Sequence, residues 1–176
     1  GEIAGSSNAI QEVGTINAKG NVSDSSVSVN TLMGTVENVA AGLASSSAAK
    51  QEVGTINAAG NVSGSSVLVT ALIGDLKNVA AGLASSSAAT QEIGRIDSQG
   101  NVLNSKVKVM LFGEVLNASA SLGGSSRATQ TIGSLYGTGG TISDATLSVT
   151  ALSVTNVAAA LLGTSRSNQT IGEIST

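Results

Sequence analysis

A stretch of thirteen residues occurs twice in this chain, forty residues apart, and this repetition constrains the fold more than any other feature. The first copy, QEVGTINAKGNVS, begins at Gln11, and the second, QEVGTINAAGNVS, begins at Gln51. Over the full period, residues 11–50 and 51–90 are identical at 30 of 40 positions. Self-similarity of this period indicates structural units that stack and bury their apolar faces against one another.

Two further copies follow, in which the same positions keep the same chemical character. A glutamine opens each copy, a glycine follows it three residues later, and an asparagine recurs within each copy. The glutamines are Gln11, Gln51, Gln91, Gln130 and Gln169, and the asparagines are Asn38, Asn78, Asn117 and Asn156. We therefore divide a single domain, residues 1–176, into a partial repeat at 1–10, repeats at 11–50, 51–90, 91–129 and 130–168, and a partial repeat at 169–176.

Apolar residues between these polar positions also recur in columns, which we assign to the interior. They include Val13, Val53, Ile93, Ile132 and Ile171, and two leucine columns, Leu32, Leu72, Leu111, Leu152 and Leu43, Leu83, Leu122, Leu161. Within a copy, apolar and polar residues alternate around Val27 and Val67, which is typical of strands. The pattern predicts an all-β fold, a parallel β-solenoid of four repeats of about 40 residues, with each residue over its counterpart.

The sequence leaves two structural alternatives open. The segment Leu32–Leu43 also fits a helical stripe, although two glycines within it and the alternating third copy favour a strand. Each repeat could also form one layer or two rungs of about 20 residues. Two rungs would separate the like charges of Glu12, Glu52 and Glu92. Aligned glutamines favour one layer, because an amide ladder needs neighbours about 4.8 Å apart.

The composition excludes several classes of function. The net charge is −3 with scattered Lys and Arg, and the chain has one Tyr, one Phe and no Trp, so nucleic acid is not an expected partner. Without Cys there is no disulfide framework or thiolate metal site, and without His there is no Ser–His nucleophile. No apolar run reaches the length of about 18–20 residues that a membrane span requires.

No residue is predicted to be catalytic or to bind a metal or cofactor. Ser47-Ala-Ala-Lys50 matches the S-x-x-K pattern of serine acyl-transferases, but the next copy has Thr90 in place of the lysine. Carboxylates such as Asp24 and Glu52 could suggest glycoside hydrolysis. They occupy positions that are neutral in other copies or that repeat the same carboxylate, which favours a solvated surface. We therefore expect a protein that is not an enzyme.

The start of the chain bears on localisation. The sequence opens GEIAGSSN, without Met and without a charged segment followed by an apolar one. We interpret it as a mature chain after signal cleavage, which predicts a secreted protein, extracellular or at the cell surface. A trimmed chain is the alternative interpretation.

A short motif carries a family resemblance. Asn38-Val-Ala-Ala-Gly42 recurs at 78–82, and in both copies a glutamine follows nine residues after the glycine. This pattern resembles the repeats of secreted bacterial functional-amyloid subunits of the Fap type and, more distantly, those of curli subunits, which also stack Gln and Asn. Here the copies abut and contain no Cys. The resemblance implies a secreted, self-assembling fibre of a biofilm or cell surface, and it implies no ligand site.

Both termini consist of repeat fragments rather than a distinct cap. The first ten residues and the last eight each align with part of the repeat. An uncapped solenoid presents open strand edges to a partner. We therefore expect a structural subunit of an extracellular fibre that assembles with copies of itself head to tail, with Ile3, Ile171 and Ile174 at the joint. The alternative is a β-helical adhesin or passenger fragment that binds a surface ligand.

Overall fold

The computed structural model describes residues 6–42 and 46–176, and all regular structure in these residues is β-strand. The strands, in chain order, are β1 (Ser7–Ala18), β2 (Val22–Ser23), β3 (Ser26–Met33), β4 (Val36–Gly42), β5 (Ser47–Ala58), β6 (Val62–Ser63), β7 (Ser66–Ile73), β8 (Leu76–Gly82), β9 (Ser87–Ser98), β10 (Val102–Leu103), β11 (Lys106–Ser121), β12 (Ser126–Gly137), β13 (Ile142–Ser143), β14 (Thr146–Ala160) and β15 (Ser165–Ser175). The prediction of an all-β fold is confirmed.

Three parallel sheets form the walls of a β-solenoid of about four turns. Sheet 1 contains the long strands β1, β5, β9, β12 and β15 in that order, and sheet 2 contains the two-residue strands β2, β6, β10 and β13. Sheet 3 contains β3 and β4 in the first layer, β7 and β8 in the second, and the continuous strands β11 and β14 in the last two. In each turn the chain passes through the three sheets in this order and returns to sheet 1 one layer further on.

Residues pair with their counterparts 39 or 40 positions later in the chain. Gln11 lies beside Gln51 in sheet 1, for example, and Val22 lies beside Val62 in sheet 2. Each repeat therefore forms one complete layer, which excludes two rungs per repeat. Strands β3 and β4 occupy the segment for which a helix was the alternative, as far as Gly42. The helical interpretation is wrong there, because these residues pair with the neighbouring layer.

The interior contains mainly β-branched and leucine side chains from all three sheets. In the second layer, Val53, Ile56, Val62, Val67 and Leu76 are each at most 2% exposed. Burial of a side chain of this size stabilises a fold by about 1.5–3 kcal/mol. A smaller cluster contains only alanines, namely Ala40, Ala49, Ala80 and Ala89, with Ala9 packed against it. Small side chains there are consistent with a close approach of sheets 1 and 3.

A glycine in the left-handed conformation bends each long strand of sheet 1. The φ angles of this glycine column lie between 64° and 70°. Because the bend interrupts the alternation of the strand, Val53 and Ile56 both point inward although they are three residues apart. A Cβ atom on Gly54 would also overlap Cγ2 of Val69 in the facing sheet. Backbone conformation and packing thus both require a glycine three residues after each stacked glutamine.

The assignment of the two leucine columns to the interior is partly wrong. Leu111 is buried, but it pairs with Ala71 rather than with Leu72. The third copy is one residue shorter than the first two, and the missing residue falls after Leu111 rather than before it. Leu152 lies at an irregularity in the pairing of β11 and β14 and is 73% exposed. The other leucine column lies just beyond the end of sheet 3. Its described members are exposed, namely Leu83, Leu122 and Leu161. Leu43 lies outside the described residues.

Candidate functional site

The predicted glutamine column forms a continuous ladder of side-chain amides inside the solenoid. Nε2 of Gln51 donates to Oε1 of Gln11 at 2.7 Å, and the same bond recurs at 2.7 Å through Gln91, Gln130 and Gln169. The three middle side chains are fully buried. Every bond in this ladder points towards the N-terminal end of the solenoid. Buried amides are tolerated because each finds a partner in the next layer.

The predicted asparagine column forms a second ladder of opposite polarity. Nδ2 of Asn38 donates to Oδ1 of Asn78 at 2.9 Å, and the bond recurs at 2.9 Å through Asn117 to Asn156. The same Nδ2 atoms also donate to carbonyl groups of sheet 1, as Asn78 does to Thr90 O at 2.8 Å. This ladder therefore joins sheet 3 to sheet 1 and fixes the register between layers, since a slip of one residue would leave every amide unpaired.

Two of the three predicted assembly residues lie on the last strand of sheet 1. Ile171 and Ile174 on β15 are 48% and 55% exposed, whereas their counterparts Ile93 and Ile96 are fully buried. Ile3 lies outside the described residues. Gln169 is also exposed, and its Oε1 atom receives no hydrogen bond from another described residue. The C-terminal end of the described solenoid therefore presents apolar and amide groups that inner layers bury.

The two long walls of the solenoid end at different levels. Sheet 1 has five strands along the stacking direction, whereas sheet 3 has four levels. Strand β15 pairs with β12 and forms a fifth level of sheet 1. Sheet 3 ends at β14, so no strand of sheet 3 faces β15 at this fifth level in the described structure. The edge of β14 is consequently open as well, and Leu147 and Val149 on it are only partly buried.

Stacked charges occupy a crease on the outer face of sheet 1, beside the glycine bend. Glu12, Glu52 and Glu92 lie on adjacent strands at equivalent positions. The Nζ atom of Lys50 forms an ion pair with Glu52, and Arg95 forms one with Glu92 at 2.6 Å. The two cations offset the repulsion between the carboxylates. The hydrogen bond to Glu52 raises the pKa of Lys50 above its ordinary value.

The S-x-x-K residues do not come together in this arrangement. The side chain of Ser47 is buried and its Oγ atom donates to the carbonyl of Ala81 at 2.7 Å. Lys50 lies on the outer face of the same strand. Because the two side chains occupy opposite faces of sheet 1, this lysine cannot act as a base for this serine in the structure.

Tyr136, the single tyrosine of the chain, extends the charged crease towards β15. Its hydroxyl group donates to Oε2 of Glu173 at 2.5 Å. The guanidinium carbon of Arg95 lies 5.2 Å from the centre of the ring, which is a cation–π distance. Burial, followed by the hydrogen bond to Glu173, raises the pKa of Tyr136 to about 12.

A groove of about 530 Å³ lies at the start of the sheet 1 strands, on the outer face. Its floor includes the small residues Ala48 and Ala88, and two arginines, Arg127 and Arg166, occupy the equivalent positions in the last two layers. A row of hydroxyl groups borders the groove, from Ser46, Ser86, Ser125 and Thr164. This groove combines hydroxyl groups with positive charge.

No group of three or more Asp or Glu side chains is placed to hold a metal ion in residues 6–42 and 46–176. The same part of the chain has no helix of the length and hydropathy that a membrane crossing requires. The side-chain contacts described above are hydrogen bonds between layers and ion pairs at the surface.

Comparison with known proteins gives no relative from which a function could be transferred. No family model, curated protein or solved structure matches the chain.

The sequence analysis did not single out Tyr136, Arg95 or the arginine pair. Each of them departs from the residue type of its own column, as Arg127 does where earlier copies have alanine. A search for positions where neutral columns acquire charge in later copies would have found the three arginines, whereas Tyr136 stands out only as the single tyrosine of the chain. Contacts across the glycine bend, such as that of Arg95 with Glu92, are not contained in the repeat pattern alone.

Proposed function

We propose that this protein is a structural subunit of an extracellular fibre, in which copies of the solenoid stack head to tail. The open edge of β15 is the observation that carries the proposal. There Ile171 and Ile174 are about half exposed, at positions that inner layers bury completely. The resemblance to Fap-type and curli subunits independently favours a secreted, self-assembling fibre.

The joint extends the parallel pairing of sheet 1 from β15 of one copy to β1 of the next. Both strands carry the repeat sequence, and β1 already pairs in this way with β5 inside the chain. Oε1 of Gln169 accepts a hydrogen bond from Nε2 of Gln11 in the next copy, because the glutamine ladder has the required polarity. Complete burial of two isoleucine side chains would contribute at most roughly 3–6 kcal/mol, before the entropy cost of association.

The step between the sheets makes this joint weaker than an inner layer contact. Because sheet 3 ends one level before sheet 1, pairing through β15 leaves sheet 3 interrupted at each joint. The asparagine ladder, which belongs to sheet 3, is interrupted with it. Assembly is therefore concentration-dependent, and filaments shorten on dilution.

The test is to image the purified chain by negative-stain electron microscopy across a range of concentrations and to measure the mass distribution by sedimentation. The expected result is filaments above a threshold concentration, with a width of one or a few solenoids. Ile171→Asp and Ile174→Asp raise this threshold, since they place charge in the joint. Ile73→Asp is the matched control, because Ile73 is 70% exposed in an inner layer. A chain that stays monomeric at every concentration would overturn the proposal.

A further inference from the structure

Arg127 and Arg166 form a stacked pair of cations without a carboxylate partner. They are register neighbours on the adjacent strands β12 and β15, and both are exposed. Neither has a carboxylate oxygen within 4 Å among the described residues, whereas Lys50, Lys77 and Arg95 all form ion pairs. The two guanidinium groups therefore remain available to an external anion.

The stacking itself favours an anion between the two side chains. Adjacent strands lie about 4.8 Å apart, and like charges directly opposite each other on neighbouring strands are destabilising. An oxyanion that contacts both guanidinium groups removes this repulsion. Arginine is suited to the contact, because its planar fork donates two parallel hydrogen bonds to a carboxylate, sulfate or phosphate.

The groove beside the pair supplies neutral hydrogen-bonding groups in a regular row. Ser125 and Thr164 have hydroxyl oxygens 3.1 Å apart and lie next to the arginine positions. The neighbouring inner hydroxyl groups are not available, since Ser126 Oγ already donates to Ala159 O at 2.6 Å. The outer hydroxyl row therefore remains for a ligand, and the alanine floor lets a polymer chain lie close to the sheet.

We propose that this groove binds an acidic polysaccharide, with Arg127 and Arg166 on its carboxylate or sulfate groups and the hydroxyl row on its sugar hydroxyls. A polymer fits because the groove crosses four layers along the stacking direction. Single-stranded nucleic acid fits less well, since its binding sites stack bases on aromatic side chains and no residue lining the groove is aromatic. The proposal does not depend on fibre formation.

The test measures binding of the full chain to immobilised polygalacturonate by biolayer interferometry at low ionic strength. The double variant R127A/R166A is expected to lose at least tenfold in affinity. The matched control K106A/K108A removes the same charge from two exposed lysines of β11 that form no ion pair in the described structure, and it should lose less than twofold. R127K/R166K should bind with intermediate affinity, because lysine keeps the charge but lacks the planar fork.

Three outcomes would overturn the assignment. An equal loss in the lysine control would show unspecific attraction to charge, and equal binding to neutral dextran would show that the arginines contribute nothing. Equal affinity for single-stranded DNA would show a general polyanion site. The circular dichroism spectrum of R127A/R166A should match that of the parent chain, and binding is measured at concentrations at which both chains are monomeric by sedimentation. Failure of the binding proposal is thereby separated from misfolding and from failure of the fibre proposal.

Discussion

The side-chain amide of Gln91 donates to Oε1 of Gln51 and accepts from Nε2 of Gln130, each at 2.7 Å, and none of the three side chains is accessible to water. Gln91→Leu keeps much of the volume but leaves an acceptor and a donor unpaired in the interior. Since each buried unpaired group costs about 1–3 kcal/mol, we expect a loss of about 2–6 kcal/mol in the free energy of unfolding, measured by urea denaturation.

The control for this ladder variant is Gln169→Leu. Gln169 is exposed and makes a single ladder bond to Gln130, whose own amide stays bonded to Gln91. We expect a smaller loss there, of about 1–3 kcal/mol, because only one buried group, Oε1 of Gln130, loses its partner. Equal effects at both positions would mean that the number of unpaired buried groups does not determine the loss.

Three glycine-to-alanine variants separate backbone strain from steric overlap. Gly54→Ala introduces both strain and overlap, because φ is 64° and the new Cβ overlaps Cγ2 of Val69. Gly172→Ala has a φ of 70° but no atom within 4 Å of the new Cβ, so only strain of about 1–2 kcal/mol is expected. Gly20→Ala has neither problem and should change stability by less than about 0.5 kcal/mol. Thermal unfolding should rank Gly54→Ala as the least stable of the three.

A charge in the core tests the assignment of inner and outer positions. Val69 is 1% exposed in sheet 3, so Val69→Asp buries a carboxylate without a partner and should cost about 3–5 kcal/mol or prevent folding. Ala59→Asp introduces the same group at an exposed turn and should be nearly silent. Comparable urea midpoints for the two variants would contradict the assigned interior.

The repeat made the fold predictable from the sequence, but only part of the site. Gln51 and Asn78 could be assigned to ladders because an amide that recurs at a fixed period has its counterpart as a neighbour in any stacked arrangement. Leu152 was misplaced because a one-residue deletion shifts the register within a single corner. The ion pair of Arg95 with Glu92 could not be anticipated, since residues three apart in a regular strand face opposite sides and only the bend at Gly94 brings these two together.

Alkaline titration tests the environment of Tyr136. Its pKa in the folded protein, about 12, lies above the ordinary value of 10.0. Its contribution to stability is therefore complete below pH 10 and is lost as the pH rises through 12. As the chain has no other tyrosine and no tryptophan, tyrosinate absorbance reports this residue alone. Glu173→Gln should lower the midpoint because it removes the hydrogen-bonded negative charge. Asp144→Asn should leave it unchanged, because it removes an exposed carboxylate that has no hydrogen bond to Tyr136.

The unequal ends of sheets 1 and 3 predict opposite effects of two changes in β15. In the full chain, β15 pairs with the edge of β12. If sheets 1 and 3 are both to continue without interruption into the next copy, β1 of that copy must pair with this same edge of β12. Ile171→Asp with Ile174→Asp leaves that place occupied and makes the exposed edge repulsive, so filaments should become fewer and shorter. Removal of residues 165–176 instead deletes β15 and exposes the edge of β12, so that sheets 1 and 3 end at the same level.

In the shortened chain, β1 of the next copy can pair with β12 while β3 and β4 pair with β14. That joint restores both amide ladders, since Gln11 then meets Gln130 and Asn38 meets Asn156. It also covers the partly buried Leu147. We therefore expect residues 1–164 to form filaments at a lower concentration than the full chain, measured by sedimentation and microscopy on samples with matched circular dichroism. If the shortened chain needs the same or a higher concentration, sheet 3 makes no contribution to the joint and β15 alone carries the assembly.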